Sequence, residues 1–141
     1  TGQGVASALQ MGADLAYMGT RFINVKESHA DEGYQEMIVN SKAEDIVYTA
    51  AISGVKANFL KASLESMGID ETQWSQSTKI DFGSELDAAK AEAKAWKTIW
   101  SAGQGVTSIS DIPSVNELVT RLKQEFIEAL EKQQQNLSIY K

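Results

Sequence analysis

The stretch Asp14-Leu-Ala-Tyr-Met-Gly-Thr-Arg-Phe-Ile23 decides how the rest of this chain is read. Leu15 to Met18 has the character of a short buried strand, stopping at a glycine followed by a hydroxyl residue. Upstream, Val5, Ala8, Leu9 and Gly12 fall at i, i+3, i+4 and i+7. That spacing predicts a helix with a core-facing stripe, ended by Gly12 in a left-handed turn. Helix, tight turn, short apolar strand and Gly-Thr is the order of an α/β unit that presents main-chain N–H groups at the strand's C-terminal end. Phosphates bind in such places, because glycine lets the backbone approach and a neighbouring hydroxyl adds a donor. When the two residues are taken alone, a plain strand-ending turn accounts for Gly19-Thr20 better.

Beyond the turn, Phe22, Ile23 and Val25 continue the apolar character. The polar run from Lys26 to Gly33 introduces a helix with Tyr34, Met37 and Ile38 on one face, and Ser28 to Asp31 fits its N-terminal cap. Ile46 to Ile52 is β-branched and aromatic, which predicts a strand broken by Ser53-Gly54. Val55 to Leu60 reads as a link, Phe59 to Met67 as a short helix closed by Gly68, and Ile69 to Phe82 as an irregular loop or lid. Ser84 to Asp87 resembles a capping box opening a helix with the stripe Leu86, Ala89, Ala93, Trp96 and Trp100. A last helix starts near Pro113, with Ser114 and Glu117 at capping-box spacing and Val115, Leu118, Val119, Leu122, Phe126, Ala129 and Leu130 as its stripe. Past Leu130 the glutamine-rich tail is expected to fray.

The composition narrows the function classes. With 141 residues, 43% apolar and 23% charged, the chain is one domain's worth of ordinary soluble protein. A net charge of −6 without any basic run argues against a nucleic-acid or anionic-membrane surface. No cysteine is present, which removes disulfides and thiolate metal sites and leaves the redox compartment undetermined. No apolar run reaches the roughly 20 residues of a membrane span, and a cytoplasmic location is the default expectation. The chain opens with Thr-Gly-Gln-Gly and enters a helix at once, and a parallel strand at 15–18 needs parallel neighbours that the remainder offers sparingly. The expectation is therefore the C-terminal portion of a larger α/β enzyme, with an autonomous small α+β domain as the alternative.

Several words then stand in a fixed order: Gly2-Gln-Gly-Val-Ala-Ser-Ala-Leu9, Met11-Gly-Ala-Asp14 and Met18-Gly-Thr-Arg-Phe22. Thr49-Ala-Ala-Ile-Ser-Gly54, Ala57-Asn-Phe-Leu60 and Trp100-Ser-Ala-Gly-Gln-Gly105 follow. Together they resemble the nitronate monooxygenase family, formerly called 2-nitropropane dioxygenases, over most of the chain. The resemblance implies an α/β fold: the C-terminal part of an FMN-binding (β/α)8 TIM barrel, with a mainly helical added segment. Residues 3–12 would be the seventh helix and 15–18 the eighth strand. Residues 1–26 would then end the barrel, 27–82 form a mixed α/β insertion or second domain, and 83–141 form helices that pack back on the barrel. Tyr17, Met18, Gly19 and Thr20 would contact the FMN phosphate, while the catalytic base and the other half of the phosphate site lie upstream of Thr1.

The implied reaction oxidises an alkyl nitronate with O2 to a carbonyl compound and nitrite. The implied partners are that small-molecule substrate, O2 and the upstream barrel, with a homodimer among the assemblies allowed. Enoyl-acyl-carrier-protein reductases of the same family carry similar Gly-Thr-Arg-Phe and Ala-Gly-Gln words, which makes FMN-dependent enoyl reduction the second reading. A non-catalytic helical interaction module is the rival of another class. Other residues carry open alternatives. Arg21 could pair with phosphate or make a buried ion pair. Gln104 could touch flavin or substrate, or cap a helix. His29, the single histidine, sits in a charged helix-start segment where capping or exposure explains it, and no second histidine or cysteine supports a metal site. Trp74, Trp96 and Trp100 read as packing residues, and Asn58 as a turn toward the active-site side.

Overall fold

The computed structural model describes residues 1–52, 54–75 and 98–140, and the chain divides into two compact units. One, the helical unit, comprises Thr1–His29 and Asp111–Lys141. The other, the hairpin unit, comprises Ala30–Ser110. The predicted capping box at 84–87 and the predicted helix as far as residue 97 lie outside the described residues, and Trp100, expected in that helix's stripe, is not helical.

In the helical unit, α1 (Gly2–Gln10) is capped by Thr1, whose hydroxyl accepts from Gly4 N–H at 3.1 Å. It ends as the sequence predicts, with Gly12 at φ 94° and its N–H donated to Leu9 O. The face it buries differs from the expected stripe. Gly2 and Ala6, one helical turn apart, are the buried residues, whereas Leu9 stays 36% exposed. The cause is close approach to the C-terminal helix. A Cβ on Gly2 would lie 2.1 Å from Leu122 O, so only glycine fits there. Gly2 N–H also donates to Glu125 Oε2 at 2.6 Å.

Residues 13–19 then run without secondary structure, exposed except for the half-buried Met18, and Thr20–Ile23 coils into a single turn, α2. The predicted strand Leu15–Met18 does not form. A strand exists as a hydrogen-bonded ladder, and no described residue pairs with this segment: Leu15 and Tyr17 are 86% and 98% exposed. The barrel is accordingly not built among the described residues, whose one sheet is a two-stranded antiparallel hairpin.

The hairpin unit begins with α3 (Glu32–Asn40), β1 (Ile46–Thr49) and β2 (Ala57–Leu60). Asp31 caps α3 by accepting from Gly33 N–H at 2.8 Å, and Ile38 is its buried anchor. The strands pair Ile46 with Leu60 and Thr49 with Ala57, so the expected link at 55–60 is in fact the partner strand. Next come α4 (Lys61–Ser66), closed by Gly68 at φ 74°, and a one-turn α5 (Glu71–Trp74) inside the expected irregular loop. Asp70 caps α5, accepting from Thr72 and Gln73 N–H.

Ile52, Phe59, Leu64, Ile69 and Ile99 form the core, with Val47, Ala57 and Trp74 packed against it. Residues 98–100 are tied alongside: Leu60 N–H donates to Trp100 O at 2.9 Å, and Trp100 N–H donates to the fully buried Ser63 Oγ at 2.8 Å.

The chain re-enters the helical unit at α6 (Val115–Leu137). Its capping box is the predicted one: Ser114 Oγ accepts from Glu117 N–H, and Ser114 N–H donates to Glu117 Oε2 at 2.7 Å. The helix runs on through the tail expected to fray. Glu, Lys and Gln are good helix formers, and Lys132, Gln133 and Asn136 share one hollow with Gln3, Ser7 and Gln10 of α1. No described helix is long and apolar enough to cross a membrane.

Candidate functional site

The sequence-predicted site residues Tyr17, Met18, Gly19 and Thr20 occupy one exposed turn of the helical unit, between the end of α1 and the start of α2. At its near end Gly12 and Ala13 N–H groups close α1 on Leu9 O and Ala8 O, and at its far end Phe22 N–H donates to Gly19 O at 3.0 Å. Between those ends, the main-chain N–H groups of residues 14–19 meet no acceptor among the described residues. A Cβ built on Gly19 has no neighbour within 4 Å, so the backbone there is open to approach. Free donors beside an unobstructed glycine are the chemistry a phosphate monoester requires.

What holds the far end is a set of polar contacts to residues some 90 positions later. Arg21 Nη2 donates to Asp111 Oδ1 at 2.9 Å, and the Arg21 side chain is 10% exposed. Asp111 is shared, because Arg121 reaches its two carboxylate oxygens at 3.1 and 2.6 Å. These hydrogen bonds, Arg121's foremost, hold the Asp111 carboxyl below its ordinary pKa and raise that of Arg121. Lys26 N–H donates to Pro113 O at 2.9 Å, and the Glu27 carboxylate accepts from Val115 N–H at the start of α6. Glu117 is held below its ordinary pKa by the Ser114 N–H first and by Lys26 in addition. Of the two roles open to Arg21, the structure shows the ion pair. Sequence spacing held no signal for Asp111, since its partner lies across the unit.

Within the hairpin unit, Tyr34 and Trp100 stack with ring centroids 5.1 Å apart and planes inclined by 14°. The Tyr34 hydroxyl donates to Ser101 O, and burial raises the phenol's pKa. Trp100 is therefore a packing residue, as is Trp74, whose carbonyl accepts from Thr49 Oγ1 at 2.7 Å. Gln104 is exposed and begins a short 3-10 turn rather than capping an α-helix. Asn58 lies in β2 opposite Tyr48, and His29 is exposed. No cluster of His, Cys, Asp or Glu suited to a metal exists among the described residues.

Comparison with known proteins converges on one family. A family model described as nitronate monooxygenase matches residues 1–125. A nitronate monooxygenase of Paraburkholderia phytofirmans is 33% identical over 138 residues, covering 95% of this chain and 37% of that protein. A probable nitronate monooxygenase of Staphylococcus aureus is 42% identical over 53 residues, 38% of this chain and 15% of its own length. Among solved structures, FabK from Thermotoga maritima superposes with a TM-score of 0.68 at 27% identity, over 96% of this chain and 44% of its own. Nitroalkane oxidase from Streptomyces ansochromogenes does so at 0.66 and 26%, over 93% of this chain and 38% of its own. The chain thus spans well under half the length of these relatives.

Proposed function

The chain belongs to the nitronate monooxygenase family, and on that premise we propose that it is the C-terminal part of an FMN-dependent oxidoreductase of nitronate monooxygenase type. In this reading residues 14–20 complete the flavin-phosphate site of a (β/α)8 barrel, and Tyr17, Met18, Gly19 and Thr20 are its contacts. The observation that carries it is that the main-chain N–H groups of residues 14–19 meet no acceptor among the described residues, beside an open Gly19. Leu15 and Tyr17, apolar yet almost wholly exposed, support it further. Leu15 to Met18 is a continuous apolar run, the pattern of a strand covered on both faces, as an eighth barrel strand would be.

The residues would act by binding and orientation. Main-chain N–H groups donate to phosphate oxygens without moving a proton, and Gly19 keeps the approach clear. Arg21, committed to Asp111, contributes field rather than a direct contact. Bound FMN supplies electron transfer from an alkyl nitronate, with O2 as the final oxidant and a carbonyl compound and nitrite as products. No residue of this chain is assigned as the base.

The test uses the polypeptide that carries this segment together with the rest of the barrel. Purified, it binds FMN and shows nitronate-dependent oxygen uptake; a colourless protein would sink the flavin reading. Oxygen uptake that is absent, with NADH-dependent enoyl-thioester reduction present, would move the assignment to the second reading. Gly19→Val is expected to weaken FMN binding by about tenfold or more, the loss of hydrogen bonds to a charged group. Its apo-protein melting temperature should stay unchanged, because nothing surrounds that Cβ.

A further inference from the structure

We infer that Asp111 is a positioning residue for the flavin-phosphate turn, acting on Gly19–Thr20 through Arg21. The inference rests on the phosphate site proposed above and adds to it a residue 90 positions away from Arg21. The turn itself has little to hold it in place. Residues 14–19 make no main-chain donation among the described residues, and α2 is a single turn of four residues. So short a helix has no stability of its own, because nucleation costs more than one turn of hydrogen bonds returns. Its location must come from tertiary contacts.

Three contacts of this segment lead to one place. Arg21 pairs with Asp111, Lys26 N–H donates to Pro113 O, and Glu27 accepts from Val115 N–H. The 20–27 segment is thereby fastened to residues 111–115, immediately before α6. Asp111 is the link nearest the turn, and Arg121 braces it from α6 by gripping both carboxylate oxygens.

In this arrangement Asp111 holds the Arg21 guanidinium away from the ligand and keeps the main-chain donors in register. Phosphate recognition then depends on the geometry of the turn, not on a mobile arginine. The opposite relation is a real alternative, in which Asp111 merely competes for Arg21 and its removal frees a better phosphate ligand.

The test compares dissociation constants of the whole apo-flavoprotein for FMN and for riboflavin, which differ by the phosphate alone. Asp111→Asn is expected to weaken FMN binding by about tenfold while leaving riboflavin affinity unchanged. A merely structural role would weaken both ligands alike and would overturn the inference. Unchanged or tighter FMN binding would overturn it as well. Should Asp111→Asn fail to fold, Arg121→Gln carries the test, because it leaves the Arg21–Asp111 pair in place and removes only the brace. It should lower FMN affinity by a smaller factor, again without touching riboflavin; an equal loss for both overturns the inference. Wild-type protein that binds FMN no better than riboflavin would instead remove the phosphate site itself.

Discussion

The two units are held together by different physics. The hairpin unit has a conventional core: Ile52, Phe59, Leu64, Ile69 and Ile99 bury one another, and Ile38, Leu60 and Val106 are fully removed from water. The helical unit buries little that is large. Its inaccessible apolar residues include Ala6, Val25 and Leu118, while Met11, Leu15, Tyr17, Ile127, Ile139 and Tyr140 face solvent. Val5, Leu9, Val119, Leu122, Phe126 and Ile127 border an apolar hollow of about 380 Å³ in the same unit. Polar links of long sequence range do the joining instead: Gly2 to Glu125, Arg21 to Asp111, Glu27 to Val115. A unit with a filled core can stand on burial alone. One that exposes its apolar 15–18 segment and helix stripe has the surface of an element meant to be covered, and that agrees with the proposed place at the end of a barrel.

The sharpest way to break this contrast is to empty the core of the hairpin unit. Leu64→Ala removes a fully buried side chain and is expected to cost about 2–5 kcal/mol in denaturant unfolding followed by tryptophan fluorescence. The described tryptophans, Trp74 and Trp100, lie in that unit, so the signal reports on it. A loss as small as that of a surface substitution would mean that the unit does not depend on its core. In the helical unit the corresponding weak point is a close approach rather than a cavity. Gly2→Val would drive a branched side chain into the backbone of α6 at Leu122 and Phe126. The expected cost is roughly 1–3 kcal/mol, by analogy with overpacked cores, read as a lower melting temperature of the far-ultraviolet helical signal. An unchanged melt would show that α1 and α6 do not rely on that contact.

The smallest effect should be on pH, where the units are expected to move in opposite senses. Asp111 and Glu117 have carboxyls held below their ordinary range by Arg121 and by Ser114 N–H, respectively. A depressed folded pKa gives stability that is present above the unfolded value, about 4, and lost as pH falls through the lower folded value. Tyr34 in the hairpin unit is the converse case. Burial raises its pKa, so its contribution is complete below the unfolded value of about 10 and is lost as pH rises through the higher folded one. Acid should therefore loosen the helical signal and alkali the tryptophan signal. Asp70, fully exposed and lowered chiefly by the Thr72 hydroxyl, adds a minor acid term on the hairpin side. Coincident transitions in both directions would show that the two units unfold as one cooperative body.

Much of the local structure was legible in the residues. Gly12 and Gly68 adopt the positive φ that their places after helical runs predict, and Ser114 with Glu117 forms the expected capping box. The strand at 46–49 follows from its β-branched and aromatic content. The partner strand was missed although it carries a signal: Val55, Ala57 and Phe59 alternate with Lys56 and Asn58. The short length of that run, ending next to a helical one, hid its period. The family, too, was legible, since the ordered words around Met18-Gly-Thr-Arg-Phe22 pointed to the family whose model matches residues 1–125.

The sequence by itself thus determined the caps, the turn glycines, most helices and the family, because these depend on a residue and its near neighbours. Tertiary structure alone decided three other matters. The Leu15–Met18 segment is apolar enough for a buried strand, yet a strand needs a ladder partner, and none of the described residues supplies one. The buried face of α1 is Gly2 and Ala6 because close packing against α6 favours the smallest side chains over the most apolar ones. Arg21 is bound to Asp111 rather than free beside the turn, because folding brings a carboxylate 90 residues away within hydrogen-bonding distance. Each outcome depends on what lies opposite in space, and linear order does not encode that.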